Sequence, residues 1–498
     1  MLGEKLKNYL QRLKGRVAPN LVIDPRELQQ SFEGWGTSLC WFANVLGACN
    51  DATTVNGQLV SVRDHIADLL FNPDKGLGLQ ICRYNIGGSG WQTKDTGKLR
   101  YGANVESFWG PEGQWDWELD AGQRWMLLAA RSRGARHFEA FSNSPPYWMT
   151  KSGRASGSVQ GKAGHDNLAP ERYDDFIHYL VTVVRWYHEK HQLTFRTLDP
   201  FNEPDTTYWW AGNNQEGCHF DPATQNVILQ KLHAALKKDG LLSAGVQLAA
   251  SDETSIDTAV SSFKSYSPAT LDAIAQVNAH AYEGTARAEL RDLVYRARKR
   301  LWMSEWGCGA APLKDMGGAI QLAACILRDL NTLQAQAWVY WQAVENSETG
   351  NWWGLMQVPF HKPQQVELGK QYWAMMHYSR FIRDGYTILK TRNPSNVVAA
   401  ISPTSSGKTT AVVVTASGPA QLFTSQRLTT YDFTPFGAKG EGEVTIYRTD
   451  ARLNMKRIDS FFLTAPLKFS IVIPPMSMTT VVMHFERTGK APKADGRL

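Results

Sequence analysis

Two stretches decide the fold, Leu198-Asp-Pro-Phe-Asn-Glu-Pro204 and Leu301-Trp-Met-Ser-Glu-Trp-Gly307. Each is a short apolar run that ends in a glutamate and is followed by a turn-forming residue. This pattern is typical of a buried strand that presents a carboxylate at its C-terminal end. If both strands belong to one parallel barrel, Glu203 and Glu305 lie on the same rim.

Six further segments have the composition of buried strands and complete a series of eight. They are Phe32–Ser38, Leu79–Gly88, His137–Pro146, Val246–Asp252, Gln276–Tyr282 and Ala337–Ala343. Between them, apolar residues recur at helical spacing from Tyr173 to Tyr187 and from Val227 to Leu236. The alternation predicts an α/β fold, a (β/α)8 TIM barrel, with insertions at 91–117 and 205–220 where such barrels build their active sites.

After residue 385 the pattern changes to short alternating strands separated by Gly, Pro, Ser and Asn. The predicted strands are Val397–Ile401, Thr409–Thr415, Val444–Tyr447, Phe469–Ile473 and Thr479–Phe485. This composition predicts a β-sandwich beside the barrel.

Charge and cysteine content narrow the functional classes. The formal charge is +6, and much of the basic excess lies at the two ends of the chain, so we expect no nucleic-acid partner. No apolar run is long enough to cross a membrane, and the first residues lack the apolar segment of a secretory signal. Six cysteines without a CxxC pair argue against structural zinc, while one or two disulfides stay open, with Cys40 and Cys49 the nearest pair in sequence.

Two glutamates on one barrel rim are what glycoside hydrolysis requires. We assign Glu203 as the general acid/base and Glu305 as the nucleophile, because a retaining enzyme holds two carboxyl groups about 5–5.5 Å apart. The charge of Glu305 should keep Glu203 protonated while the site is empty, and esterification of Glu305 would then let Glu203 act as a base towards water.

Other side chains at strand ends could support the pair. Arg83 and Tyr282 are candidate donors that hold the nucleophile ionised, and Asn202 could bind the 2-hydroxyl of the sugar. We further expect a sugar subsite whose walls include His280, Trp341, Trp35, Asn143 and Trp148. No motif for a metal or a cofactor competes with this interpretation, so we expect neither.

Six motifs, in order, resemble glycoside hydrolase family 30. They are Phe32-Glu-Gly-Trp-Gly, Arg83-Tyr-Asn-Ile-Gly-Gly, Ser142-Asn-Ser-Pro-Pro-Tyr-Trp-Met, Phe201-Asn-Glu-Pro, Ser304-Glu-Trp-Gly and Tyr378-Ser-Arg-Phe-Ile, and the closing Met478-Thr-Thr-Val-Val is similar too. The resemblance runs from about Leu21 to Phe485. Within the family, the segments that start at Gly34 and Asn143 look most like the endo-β-1,6-galactanase branch.

The resemblance implies a retaining clan A barrel with its acid/base at Glu203 and its nucleophile at Glu305. It also implies that the strand near Leu21 joins the C-terminal strands in the sandwich. We therefore expect a barrel at 32–385, a sandwich domain from 18–31 and 386–486, and flexible termini at 1–17 and 487–498. The family favours an extracellular enzyme, although the chain begins without a secretion signal, so the compartment stays open.

Several activities share this chemistry. The preferred interpretation is a monomeric retaining endo-β-1,6-galactanase acting on an oligo- or polysaccharide, without membrane insertion. The alternatives are a β-glucosidase or glucosylceramidase type and a β-1,6-glucanase, since the aromatic loops 208–210 and 352–353 could build a cleft or a pocket. A non-catalytic carbohydrate-binding protein would keep the aromatic residues but would not need two rim glutamates.

Overall fold

A computed structural model describes residues 20–486, except 91–98, 160, 162, 310, 394, 406–407, 419–426 and 438–441. The predicted termini, 1–17 and 487–498, lie outside the described residues, as does the start of the insertion at 91–117. The described chain divides into two compact units. One comprises the described residues of 34–309 and 335–368, and the other comprises those of 20–33, 311–334 and 369–486.

Eight parallel strands close into a barrel in sequential order, which confirms the predicted fold. Barrel strands 1 to 8 are Gly34–Ser38, Ile81–Asn85, His137–Phe141, Thr197–Asp199, Gln247–Ser255, Ile274–Glu283, Arg300–Trp306 and Ala337–Gln342. Nearly all their residues are buried, as expected for a parallel sheet covered on both faces. Strand 1 packs closely on strand 2, because a β-carbon on Gly36 would lie 2.6 Å from Cβ of Ile81.

Helices follow the barrel strands and bury one apolar face each. In chain order the α-helices are Phe42–Leu46, Val62–Phe71, Ala121–Ser132, Tyr173–His191, Pro222–Lys238, Ile256–Ser265, Pro268–Ala273, Arg287–Arg296, Met316–Arg328 and Lys370–Ser379. The two helices predicted from apolar spacing are present, and a 3₁₀ turn at Pro170–Arg172 leads into the first of them. The two helices from Met316 onward belong to the second unit.

Two small sheets accompany the barrel. Ala52–Val55 pairs with Gln58–Ser61, and Val344–Asn346, Met356–Val358 and Glu367–Leu368 form a second sheet after barrel strand 8. This second sheet fixes the chain that follows the strand end, where side chains can reach the mouth of the barrel.

The second unit contains the predicted sandwich. One sheet has seven strands, in the order Leu28–Ser31, Thr387–Leu389, Val397–Ile401, Lys408–Ser417, Ser477–Glu486, Gly442–Thr449 and Lys456–Leu463. The other has three, Asn20–Val22, Arg427–Asp432 and Lys468–Ile473. Their shared core includes Leu21, Val413 and Tyr431, so the strand before the barrel does join the C-terminal strands.

No helix in the described part of the chain is long and apolar enough to span a membrane. All six cysteines lie within the described residues, and none of them forms a disulfide bond. The pairing of Cys40 with Cys49 that the sequence left open is therefore absent from the structure.

Candidate active site

The two glutamates reach the same rim by different local routes. Glu305 is the penultimate residue of barrel strand 7. Glu203 lies four residues beyond the end of strand 4, in the left-handed region at φ 48°. Its backbone N–H donates to the carbonyl of Asp252 at 2.8 Å, which fixes this unfavourable conformation against the end of strand 5.

The two carboxylates converge on one imidazole. Nδ1 of His280 lies 3.1 Å from Oε1 of Glu203 and 3.4 Å from Oε1 of Glu305. The facing oxygens of Glu203 and Glu305 and the histidine nitrogen all lie within 4.8 Å of one another. Such a separation fits the geometry of a retaining glycosidase, in which the carboxyl groups are about 5–5.5 Å apart, rather than the wider spacing of an inverting one.

Arg83 connects the barrel interior to Glu305. Its side chain is fully buried, and Nη1 donates to Oε2 of Glu305 at 3.3 Å while Nε donates to Glu139 at 2.9 Å. Nη2 donates to Asp252. Because an arginine stays charged and presents its donors in a rigid plane, it both orients Glu305 and favours its ionised form.

Glu305 also accepts a hydrogen bond from the hydroxyl of Tyr282, at 3.1 Å from Oε1. Burial raises the pKa of Glu305 to about 7, and the Glu203 carboxylate adds to the rise, whereas His280 and Arg83 act against it. Glu305 therefore takes up a proton more readily than an isolated carboxyl group does.

The carboxylate neighbours of His280 favour its cationic form. Burial alone would lower its pKa, but Glu305 and Asp252 outweigh burial and raise it well above the usual value. Its Nε2 lies 3.1 Å from Oδ1 of Asp252. Burial likewise opposes ionisation of Asp252, yet Arg83 and His280 hold its pKa well below the ordinary range.

Asp252 and Glu139 were not among the residues predicted for the site. Asp252 ends the predicted fifth strand, so its position on the rim was a usable signal. Glu139 lies inside strand 3 and accepts hydrogen bonds from Arg83, Thr197 and Asn278. A fully buried carboxylate in a barrel strand indicates a buried cation, but the sequence does not say which one.

The carboxylates line a cavity of about 510 Å³ at the mouth of the barrel. Of the residues that the sequence proposed, Asn202, Tyr282 and Trp341 line it as well. Oδ1 of Asn202 is buried and has no hydrogen-bond partner among the described residues. The remaining lining residues are Arg100, Tyr208, Asn214, Gln215, Thr254, Gln342, Glu345, Thr349, Asn351 and Trp353.

Trp35 does not line this cavity, and the expectation for it was wrong. Its side chain has no exposed surface and packs against Trp338, with ring centroids 6.3 Å apart. In register, Gly36 lies opposite Val339, which packs with Ile81 in the barrel core. Since side chains alternate along a strand, Trp35 faces away from the barrel interior.

Asn143 and Trp148 also lie outside the cavity lining. Asn143 is buried, with its backbone N–H donating to Oδ1 of Asn85 and its Nδ2 lying 3.7 Å from Sγ of Cys40. Trp148 is half-buried, donates from Nε1 to the carbonyl of Trp109 at 3.1 Å and packs edge-on against that ring. Both side chains shape the loop after strand 3, and their contact with a sugar stays a prediction.

Among the described residues, two groups of side chains have the spacing of cation ligands. Glu203, His280 and Glu305 form one, in which His280 contacts both carboxylates while Arg83 and Tyr282 donate to Glu305. Asp166, His219 and Asp221 form the other. There, Asp166 accepts hydrogen bonds from the backbone N–H of Asp221 and from Thr224, so hydrogen bonding explains its position.

A closed (β/α)8 barrel with two carboxylates converging over its mouth has the geometry of a retaining glycoside hydrolase. Comparisons with known proteins give the family. The model described as O-Glycosyl hydrolase family 30 matches residues 18–282. The chain belongs to glycoside hydrolase family 30 and is an O-glycosyl hydrolase.

Two known proteins and one solved structure show what this chain is similar to. An endo-β-1,6-galactanase from Hypocrea rufa is 32% identical over 455 residues, covering 87% of this chain and 88% of that protein. An exo-β-1,6-galactobiohydrolase from Bifidobacterium longum subsp. longum is 27% identical over 414 residues, covering 64% of this chain and 26% of that longer protein. A solved structure of a conserved exported protein from Bacteroides fragilis shares the fold at 21% identity, with a TM-score of 0.74 over 93% of this chain and 99% of that one.

Proposed function

We propose that this protein is a retaining endo-β-1,6-galactanase with Glu203 as acid/base and Glu305 as nucleophile. The observation that carries the mechanism is the convergence of the two carboxylates within 4.8 Å around His280. The observation that favours galactan is the similarity to the endo-β-1,6-galactanase along nearly the full length of both chains.

Each half-reaction uses the same pair of side chains. Glu305 attacks the anomeric carbon while Glu203 gives its proton to the leaving oxygen, so the glycosidic bond breaks and a glycosyl ester forms. Glu203 then takes a proton from water as that water attacks the anomeric carbon and releases Glu305. Two inversions restore the original β configuration.

Surrounding residues have roles that follow from their contacts. Arg83 and Tyr282 donate to Glu305 and stabilise its charge before attack. The orphaned Oδ1 of Asn202 is an acceptor that a sugar hydroxyl would satisfy on binding. Trp341 retains 8% of its surface at the cavity wall, where an aromatic face can pack against a sugar ring.

Polar side chains beside barrel strands 8 and 1 are suited to bind sugar hydroxyls. Glu345 is buried, which raises its pKa, and it accepts hydrogen bonds from Gln342 at 2.8 Å and from the backbone N–H of Asn346 at 3.0 Å. Arg100 lines the same cavity and stacks over Trp41 at 4.4 Å. Donors and an acceptor fixed in one wall can distinguish sugars that differ in one hydroxyl.

Hydrolysis of β-1,6-galactan and of β-1,6-glucan tests the proposal, with the Glu305→Ala variant as the inactive control. We expect a ladder of oligosaccharides from galactan from the earliest time points, and NMR should detect the β-anomer first. Faster cleavage of glucan would identify a β-1,6-glucanase instead. Disaccharide as the sole early product would identify exo-action, and α-anomer as the first product would contradict the retaining mechanism.

A further inference from the structure

Several residues of the segment that follows Glu203 donate hydrogen bonds to that residue. Thr206 Oγ1 and Trp209 Nε1 both donate to the backbone carbonyl of Glu203, at 3.1 and 3.0 Å. The hydroxyl of Tyr208 donates to Oε2 of the Glu203 carboxylate. Three of the six residues after Glu203 therefore hold the backbone and the side chain of the proposed acid/base.

The two oxygens of Glu203 have different surroundings. Oε1 lies 3.1 Å from Nδ1 of His280, which is fully buried, and beside Glu305. Oε2 contacts Tyr208, which lines the cavity and is 42% exposed. The outer oxygen, Oε2, is thus the one that can give a proton to a glycosidic oxygen in the cavity.

The Tyr208 hydroxyl has a second partner, Thr254. The Oγ1 atom of Thr254 lies 3.3 Å from the tyrosine oxygen and also lines the cavity. A hydroxyl group carries one proton and can also accept. Tyr208 can therefore donate to an ionised Glu203, or turn its proton towards Thr254 and accept a hydrogen bond from a protonated Glu203, without moving any heavy atom.

We propose that Tyr208 is a positioning residue that keeps Glu203 Oε2 aimed into the cavity in both of its protonation states, with Thr254 as the alternative partner of the tyrosine proton. The inference rests on the proposed acid/base role of Glu203. Donation by Tyr208 stabilises the carboxylate that is left after proton transfer to the leaving group. Burial and the nearby Glu203 raise the pKa of Tyr208, so it keeps its own proton.

The packing around the segment permits a clean test. The ring of Tyr208 lies edge-on against Trp209, with centroids 4.6 Å apart. Trp209 in turn packs directly on the backbone of Gly217, where a β-carbon would lie 2.2 Å from the indole ring. Tyr208→Phe keeps the ring in this packing and removes only the hydroxyl.

The experiment measures kcat/KM against pH for aryl β-galactosides with good and poor leaving groups. For Tyr208→Phe we expect the basic limb to move to higher pH and the rate with poor leaving groups to fall roughly 10- to 100-fold, the worth of a hydrogen bond to a charged group. Activated substrates, which need little acid assistance, should change by less than about threefold.

Two further variants separate this role from a structural one. Thr254→Val removes the alternative partner and should move the basic limb the other way, to lower pH. Tyr101→Phe is the matched control, since Tyr101 is 53% exposed, stacks on His361 and is absent from the cavity lining. That variant should match wild type at every pH.

An equal loss for all leaving groups with an unmoved basic limb in Tyr208→Phe would overturn the proposal, as would shifts of the same sign in Tyr208→Phe and Thr254→Val. Failure of the proposed function would give a different result. Wild-type enzyme inactive on β-1,6-galactan would contradict the galactanase assignment, and the same variants would then be compared on whichever aryl β-glycoside the wild type cleaves.

Discussion

The two carboxylates of the site are supported by different parts of the molecule. Glu305 lies within a barrel strand, and its donors Arg83 and Tyr282 come from strands 2 and 6, far away in sequence. Glu203 lies beyond its strand, and several of its donors come from the next few residues, including Tyr208 and Trp209. Glu305 is positioned by the barrel, whereas Glu203 is positioned by an insertion as well as by His280 and Asp252 of the barrel.

This difference has a physical consequence. The charges around Glu305 form a buried network, in which Arg83 also neutralises Glu139 and Asp252, so removing any member leaves an unpaired charge in the core. Glu203 shares His280 with this network, but its other side-chain contact is with the half-exposed Tyr208, and Thr206 and Trp209 donate to its backbone carbonyl. The contacts that come from the insertion can change with little cost to the barrel. The nucleophile is therefore coupled to folding, whereas the acid/base can be tuned locally.

The largest expected effect comes from removing the nucleophile. Glu305→Ala should abolish turnover on every substrate, because no covalent intermediate can form. Sodium azide should restore cleavage of activated aryl galactosides and give the α-configured glycosyl azide, since the small anion enters from the face that Glu305 occupied. NMR of the product provides the measurement, and a β-configured azide would show that Glu305 is not the nucleophile.

Removing the acid/base should have a smaller and more selective effect. Glu203→Ala should lower the rate on natural linkages by about 10²–10⁴-fold, the usual worth of general acid–base catalysis. Aryl glycosides with good leaving groups should lose much less in the glycosylation step, because their departure needs no proton. Steady-state and burst kinetics across leaving groups measure this, and equal losses for both classes would exclude Glu203 as the acid.

The acid limb of the pH profile of kcat/KM should depend on the barrel residues that contact Glu305. Because burial raises the pKa of Glu305 to about 7, kcat/KM should fall as the pH drops through a range well above that of an ordinary carboxyl group. Tyr282→Phe removes a donor to ionised Glu305 and should move this acid limb further up, by about one pH unit. The basic limb should not move, in contrast with Tyr208→Phe.

An acid limb with its midpoint at or below about 4.5 in wild type would instead mean that Arg83, Tyr282 and His280 outweigh burial at Glu305. A shift of both limbs in Tyr282→Phe would show that the two carboxylates titrate as one unit. Either outcome would show that Glu305 and Glu203 are not tuned by separate sets of residues.

The same separation explains what the sequence could predict. Several barrel strands contain short apolar runs and all are separated by helical or turn-rich segments, so their order, and with it the positions of Glu305, Arg83 and Tyr282 on one rim, follow from the pattern. The sandwich core followed from alternating strands, although Lys456–Leu463, a mostly exposed strand, gave too weak an apolar signal to predict.

Other features of the site could not be predicted from the sequence and are known only from the structure. Trp35 was predicted to be a wall of the sugar subsite, but its side chain is fully buried, and a shift of one residue along a strand reverses the face. Tyr208 stood in an aromatic insertion with no periodicity, so its hydroxyl could not be assigned to Glu203. A positive φ at Glu203 likewise has no sequence signal, because glutamate seldom adopts it.

The smallest expected effect tests the insertion itself. Glu216 is buried in the insertion and accepts hydrogen bonds from the backbone N–H groups of Gly88 and Ser89 and from Asn85. Burial raises its pKa to about 7, so the folded protein keeps a proton on Glu216 that the unfolded chain loses above about pH 4.5. Its contribution to the free energy of unfolding is thus fully present below about pH 4.5 and declines as the pH rises towards 7, by up to about 3 kcal/mol.

Glu216→Gln cannot ionise, so its melting temperature should fall less than that of wild type between pH 5 and pH 8. Equal pH dependence in the two proteins would show that Glu216 is not protonated in the folded state. Because the hydrogen bonds of Glu216 come from Asn85, Gly88 and Ser89 and not from Arg83 or Tyr282, the acid limb of kcat/KM should stay where it is in wild type.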